Sequence, residues 1–143
     1  MHQTHYRGMT LIELLLVLAI VGILTAVVVP RVATFIDGID VRGAADDAEG
    51  LMTSARHLAI ARAAKASVGI DTGARTLTLQ VGGDTLQRRD EGALHGVRLT
   101  SNGAAVTYSQ IGLGFGVTNL TLVITKGTAA ETLFVSKLGR VRR

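Results

Sequence analysis

Cysteine and tryptophan are absent from this sequence, and proline occurs once, at Pro30. Without cysteine there is no disulfide, no thiolate metal ligand and no cysteine nucleophile. The sequence also offers no pair of histidines at metal-binding spacing and no serine in a recognisable nucleophile motif, so no catalytic residue is assigned and no enzyme, metal or cofactor is expected. Aromatic residues make up only 3% of the 143 residues, so a core has to be built from Val, Leu, Ile and Ala. The same scarcity argues against a single-strand nucleic-acid platform, which stacks bases on aromatic rings. Charge is not concentrated in one sign: Lys and Arg number 15 against 11 Asp and Glu, and the net charge of +4 is compatible with anionic partners. The length suits one modest core.

What the chain does have is a long apolar run. In residues 9–29 every residue is apolar or small except Thr10, Glu13 and Thr25. At about 1.5 Å per residue this run spans roughly 30 Å as a helix, the thickness of a bilayer's hydrocarbon core. Before it stands a short basic leader, residues 1–8, with Arg7 at its end. Arg7 predicts that this end stays cytoplasmic. His2 and His5 lie in the same leader and are not expected to form a metal site.

Glu13 is the unusual residue in the run. A carboxylate near the centre of a membrane span costs roughly 3 kcal/mol on insertion scales. One reading places Glu13 in the first helical turn at the headgroup level, where it complements the helix dipole at small cost. The other reading gives it a specified partner. Cleavage after Gly8 would make Met9 the N-terminus, and a carboxylate four residues along can reach that amine or the amine of a neighbouring chain. In a packed bundle such a pair fixes one helix's register against the next.

Beyond Pro30 the pattern changes. Arg31, Asp37, Asp40, Arg42, Asp46, Asp47 and Glu49 are mixed with Val32, Phe35, Ile36, Ile39 and Val41. Residues 30–65 read as an amphipathic continuation of the helix, kinked at Pro30 and loosened at Gly38 and Gly43. Leu51, Ala55, Leu58 and Ala59 form a stripe at helical spacing. Asp46, Asp47 and Glu49 read as a solvated face, and His57 as an exposed helix residue. Residues 66–143 read as β-rich. Strict alternation puts Leu77, Leu79 and Val81 on one face, and the same pattern recurs at Val97 and Leu99, at Leu120, Leu122 and Ile124, and at Leu133 and Val135. Gly82-Gly83-Asp84 and Ser101-Asn102-Gly103 are turn signals. Strands follow strands, so the expected fold is α+β: a long N-terminal helix packed on a mainly antiparallel β-sheet domain. Gly112-Leu113-Gly114-Phe115-Gly116 lacks the spacing and the following helix of a phosphate loop, and reads as a loop or strand edge.

The ending Lys137-Leu138-Gly139-Arg140-Val141-Arg142-Arg143 is basic. If residues 139–142 form a strand, Arg140 and Arg142 share one face about 6.8 Å apart. That is close to the phosphate spacing of a nucleic-acid strand. A solvated basic tail is the simpler reading of the same residues.

Gly8-Met9-Thr10-Leu11-Ile12-Glu13-Leu14-Leu15 resembles the prepilin cleavage motif of type IV pilins and type II secretion pseudopilins. The resemblance implies that a prepilin peptidase cuts after Gly8, that Met9 is then N-methylated, and that Glu13 is the assembly glutamate. The family usually has phenylalanine where this chain has Met9. The long helix, the stretch Ser54 to Ala61, the β-rich remainder and the Gly139-Arg140-Val141-Arg142 ending together resemble the GspH/FimT family of minor pilins. Two roles follow from that resemblance. One is a minor pseudopilin in a short periplasmic filament that drives protein export, with other pseudopilins or pilins, the peptidase and the inner membrane as partners. The other is a FimT-like pilus subunit that binds DNA for uptake through Lys137, Arg140, Arg142 and Arg143. Both imply a single-pass inner-membrane protein, N-terminus cytoplasmic and C-terminal domain periplasmic.

Overall fold

The structure is a computed structural model that describes residues 9–115 and 119–143. The leader with Gly8, and Gly116 of the glycine run, lie outside the described residues. The chain divides into two compact units, one ending at Phe35 and the other comprising Ile36–Arg143.

The described part of the first unit is helical. Helix α1 spans Leu11–Ala61 and continues through Pro30, Gly38 and Gly43. Within the first unit its Leu, Ile and Val side chains are all exposed, from 43% at Val17 to 77% at Leu11.

The second unit begins with the remainder of α1 and continues in nine strands among the described residues. These are β1 (Ala66–Asp71), β2 (Thr76–Val81), β3 (Asp84–Asp90), β4 (Arg98–Ser101), β5 (Ala105–Tyr108), β6 (Gly114–Phe115), β7 (Leu120–Lys126), β8 (Ala129–Val135) and β9 (Val141–Arg142). A single helical turn, α2 (Glu91–Leu94), joins β3 to β4. One sheet has the order β3-β2-β1-β5-β6 and the other β4-β7-β8-β9. Every strand pair is antiparallel, as expected from strands joined by short turns.

The alternation seen in the sequence is the burial pattern of the fold. Leu77, Leu79, Val81, Val97, Leu99, Leu120, Leu122, Ile124, Leu133 and Val135 all bury into one core. From α1 that core receives Val41, Ala44, Ala45, Ala48, Leu51, Met52, Ala55 and Ala59, at a spacing of three or four. The predicted stripe is therefore present and starts ten residues earlier than Leu51, at Val41. Ile36 and Ile39, which the amphipathic reading grouped with it, are half exposed.

Helix α1 ends at Ala61, a few residues short of the expected limit at 65. Ala63 takes a left-handed φ of 48°, its N–H donates to Ile60 O (3.2 Å), and the Ala64 N–H donates to Ala59 O (3.2 Å). This pair of bonds closes a Schellman motif, in which glycine is the usual left-handed residue. With alanine there, the sequence carries no stop signal.

Candidate functional site

In the first unit, Thr10 caps α1. The Glu13 backbone N–H donates to Thr10 Oγ1 (3.3 Å) and Thr10 O (3.1 Å), and the Leu14 N–H donates to Thr10 O (3.2 Å). Glu13 is thereby the third residue of the helix, at the positive end of its dipole, where a carboxylate is stabilised. Met9 and Glu13 are both exposed. The hydroxyls behind them are satisfied within the helix: Thr25 Oγ1 donates to Val21 O (2.7 Å) and Thr34 Oγ1 to Arg31 O (2.9 Å). A helix whose hydroxyls are internally paired and whose apolar side chains face outward suits a hydrocarbon environment or a bundle of like helices. It is long and apolar enough to cross a membrane.

In the second unit, the basic ending is a hairpin. The strand is shorter than anticipated: β9 holds only Val141 and Arg142, paired with Val135 and Phe134. Gly139 sits in the preceding turn at φ 72°, with its N–H donating to Ser136 O (2.8 Å). A side chain there would also collide with Tyr108, since a Cβ would lie 2.9 Å from Cε1. Glycine at 139 thus serves both the turn and the packing beneath it. Tyr108 is fully buried, and burial pushes its pKa up to about 12 against an opposing effect of Arg56.

Arg140 and Arg142 flank Val141 and line one cleft of about 280 Å³ together with Glu49, Thr53, Arg56, His57 and Gly139. The structure thus brings two of the four predicted basic residues together and adds Arg56 and His57 from α1. His57 is exposed, as expected. Lys137 is exposed but does not line this cleft. Arg143 does not line the cleft itself but pairs with Glu49, which does, and with Asp46. Its Nε lies 3.2 Å from Glu49 Oε2. The hydrogen bond to Asp46 holds its pKa above the ordinary value.

These pairs correct the reading of Asp47 as part of a solvated face, whereas Asp46 stays exposed as expected. Asp46 and Glu49 hold Arg143, while Asp47 is partly buried, with Oδ1 2.6 Å from Arg89 Nη1 and Oδ2 3.2 Å from His95 Nε2. Close by, Lys126 Nζ donates to Asp40 Oδ2 (2.5 Å) and to the His95 carbonyl (2.9 Å). Gly43 is explained by the same region: a Cβ there would lie 2.8 Å from His95 Cε1, so the missing side chain admits the imidazole. Sequence spacing could not reveal these partners, because their positions are far apart along the chain.

Residues 4–29 match the family model of the prokaryotic N-terminal methylation motif. The fold is similar to that of the type IV minor pilin FimU of Pseudomonas aeruginosa strain PAO1, with a TM-score of 0.62 and 17% identity over 76% of this chain and 90% of that one. It is also similar to the minor pseudopilin EpsH from the type 2 secretion system of Vibrio cholerae, with a TM-score of 0.59 and 19% identity over 72% of this chain and 94% of that one. No curated protein matches the sequence. Motif and fold define a pilin-like chain: a methylation signal at the head of an apolar helix, followed by a unit of antiparallel sheets. Within that class its likeness is to minor pilins and minor pseudopilins, and the expected GspH/FimT resemblance holds at the level of motif and fold.

Proposed function

We propose that this chain is a minor pseudopilin of a type II secretion pseudopilus, a structural and non-enzymatic subunit of a short periplasmic filament. It inserts in the inner membrane with the leader in the cytoplasm and residues 36–143 in the periplasm. A prepilin peptidase cuts between Gly8 and Met9 and methylates the Met9 amine. The helix then leaves lipid by packing against the helices of other subunits, and Glu13 pairs with an N-terminal amine in that bundle.

One observation carries this reading: a methylation motif stands at the head of a helix whose large apolar side chains are all exposed up to Val29. Covering one such side chain stabilises by about 1.5–3 kcal/mol, so the helix requires lipid or partner helices around it. The test is Glu13→Ala in the full-length chain. The variant is expected to insert and to be cleaved, giving a mature mass that starts at Met9, but to lose copurification with partner subunits. Normal copurification overturns the assembly role.

A second reading is a pilus subunit that binds DNA. The cleft shared by Arg140, Arg142, Arg56 and His57 favours it. Contacts to phosphate are independent of sequence, and log K falls with log salt by about 0.9 for each phosphate neutralised. An Arg140→Ala/Arg142→Ala variant that loses DNA retention at low salt supports this reading, and retention equal to wild type removes it.

A further inference from the structure

We propose that Asp47, Glu91 and His95 form a binding site for one divalent transition ion of the zinc type. Asp47 comes from α1, whereas Glu91 opens α2 and His95 follows it, four residues on. His95 Nε2 is 3.2 Å from Asp47 Oδ2 and 3.8 Å from Glu91 Oε2, and the three donor atoms all lie within 4.8 Å of one another. Neighbouring ligands of a tetrahedral ion with bonds of about 2.0–2.2 Å stand about 3.3–3.6 Å apart. The two separations from His95 Nε2, 3.2 and 3.8 Å, fall just either side of that range, and the third is no more than 4.8 Å.

The independent observation is Glu91. Its side chain is 0% exposed, it points at His95, and neither carboxylate oxygen has a hydrogen-bond partner among the described residues. A buried carboxylate left in this way is costly and calls for a counter-charge. Arg89 does not supply a hydrogen bond to it: Nη1 is on Asp47 Oδ1, and the buried Nε has no partner. An ion among the three donors satisfies Glu91 directly.

The surroundings fit the role. Arg89 holds the oxygen of Asp47 that faces away from His95, which orients the other as a ligand. Lys126 fixes the His95 carbonyl, and Gly43 makes room for the ring. Asp47 and His95 are about one-quarter exposed, which leaves a path for the ion and a fourth position for water. One imidazole with two carboxylates suits zinc, whereas calcium takes 6–8 oxygen ligands. The ion would fasten α1 to the connection between the two sheets.

The experiment uses the full-length chain in detergent micelles with His2→Ala and His5→Ala, which removes the leader imidazoles. Zinc chloride is titrated calorimetrically, and Co2+ is used as a spectroscopic substitute. The expected result is one Zn2+ per chain, a tetrahedral Co2+ absorption band, and a thermal midpoint raised by about 5–10 °C at a 100-fold excess over Kd. Glu91→Gln and His95→Gln are expected to weaken binding by about tenfold or more and to abolish the band, while His57→Gln changes nothing. Circular dichroism checks that each variant is folded, and Asp47→Asn replaces any that is not. Absence of one-to-one binding, or wild-type binding in folded Glu91→Gln and His95→Gln, overturns the proposal.

Discussion

Along α1, residues 11–35 carry Leu, Ile and Val side chains that stand exposed, whereas from Val41 onward most of the fully buried positions are alanine. Ala44, Ala45, Ala48, Ala55 and Ala59 have no exposed surface at all. The bulk of the core they enter comes from the sheets, from Leu77, Tyr108, Leu122, Ile124 and Leu133. Within one helix, then, most of the larger apolar side chains, apart from Val41, Leu51 and Met52, stay outside the core of the folded chain. Hydrophobicity alone does not say which surface a residue will meet.

Paired substitutions sharpen that contrast, and thermal unfolding of the full-length chain in detergent reads each of them. The largest effect is expected for Leu122→Ala, which opens a cavity in the core and costs about 2–5 kcal/mol. Leu18→Ala, the same chemistry in the first unit, is expected to change stability by less than about 0.5 kcal/mol. A comparable loss at both positions would break the comparison. Ala48→Leu adds bulk where there is no space and is expected to cost about 1–3 kcal/mol. Lys126→Ala removes the contacts to Asp40 and the His95 carbonyl and is expected to cost about 1 kcal/mol.

Glu91 adds a pH dependence. Its pKa in the folded chain is raised from the ordinary 4.5, mainly by burial. The folded state therefore binds this proton more tightly than the unfolded state. The resulting stabilisation is fully present below 4.5 and is lost as pH rises through the raised value. Glu91→Gln has no charge to bury, so with chelator present its stability advantage over wild type should be largest at neutral pH and shrink as pH falls towards 4.5. An advantage that does not vary with pH would contradict the burial argument. The smallest expected effect is Ala63→Gly, which relieves a left-handed alanine at the end of α1 and should stabilise by at most about 1 kcal/mol.

Much of this architecture was legible before the structure. Strands β2, β4, β7 and β8 each have one face in the core, so their apolar residues alternate. Strand β3 escaped because it is the polar edge of its sheet: Asp84–Asp90 is exposed except at Arg89, which leaves no alternation to read. Such an edge resists pairing with other chains. Strand β1 was hidden by Ala66, Ser67 and Gly69, small residues that give little contrast between faces. The Asp47–Glu91–His95 cluster could not be read at all, because folding alone brings α1 to the β3–β4 connection. The basic ending was legible in its chemistry, but the detour of Arg143 to Asp46 and Glu49 was not.

Tyr108 has a practical consequence. The chain has two tyrosines and no tryptophan, and the other tyrosine, Tyr6, belongs to the leader. Cut after Gly8, the mature chain would fluoresce from Tyr108 alone, a phenol wedged under the Gly139 turn. That emission would then report on the base of the basic hairpin with no label attached. Phenolate absorbance arising near pH 12 would mark the ring as still enclosed, and its arrival near 10 would mark the turn as open.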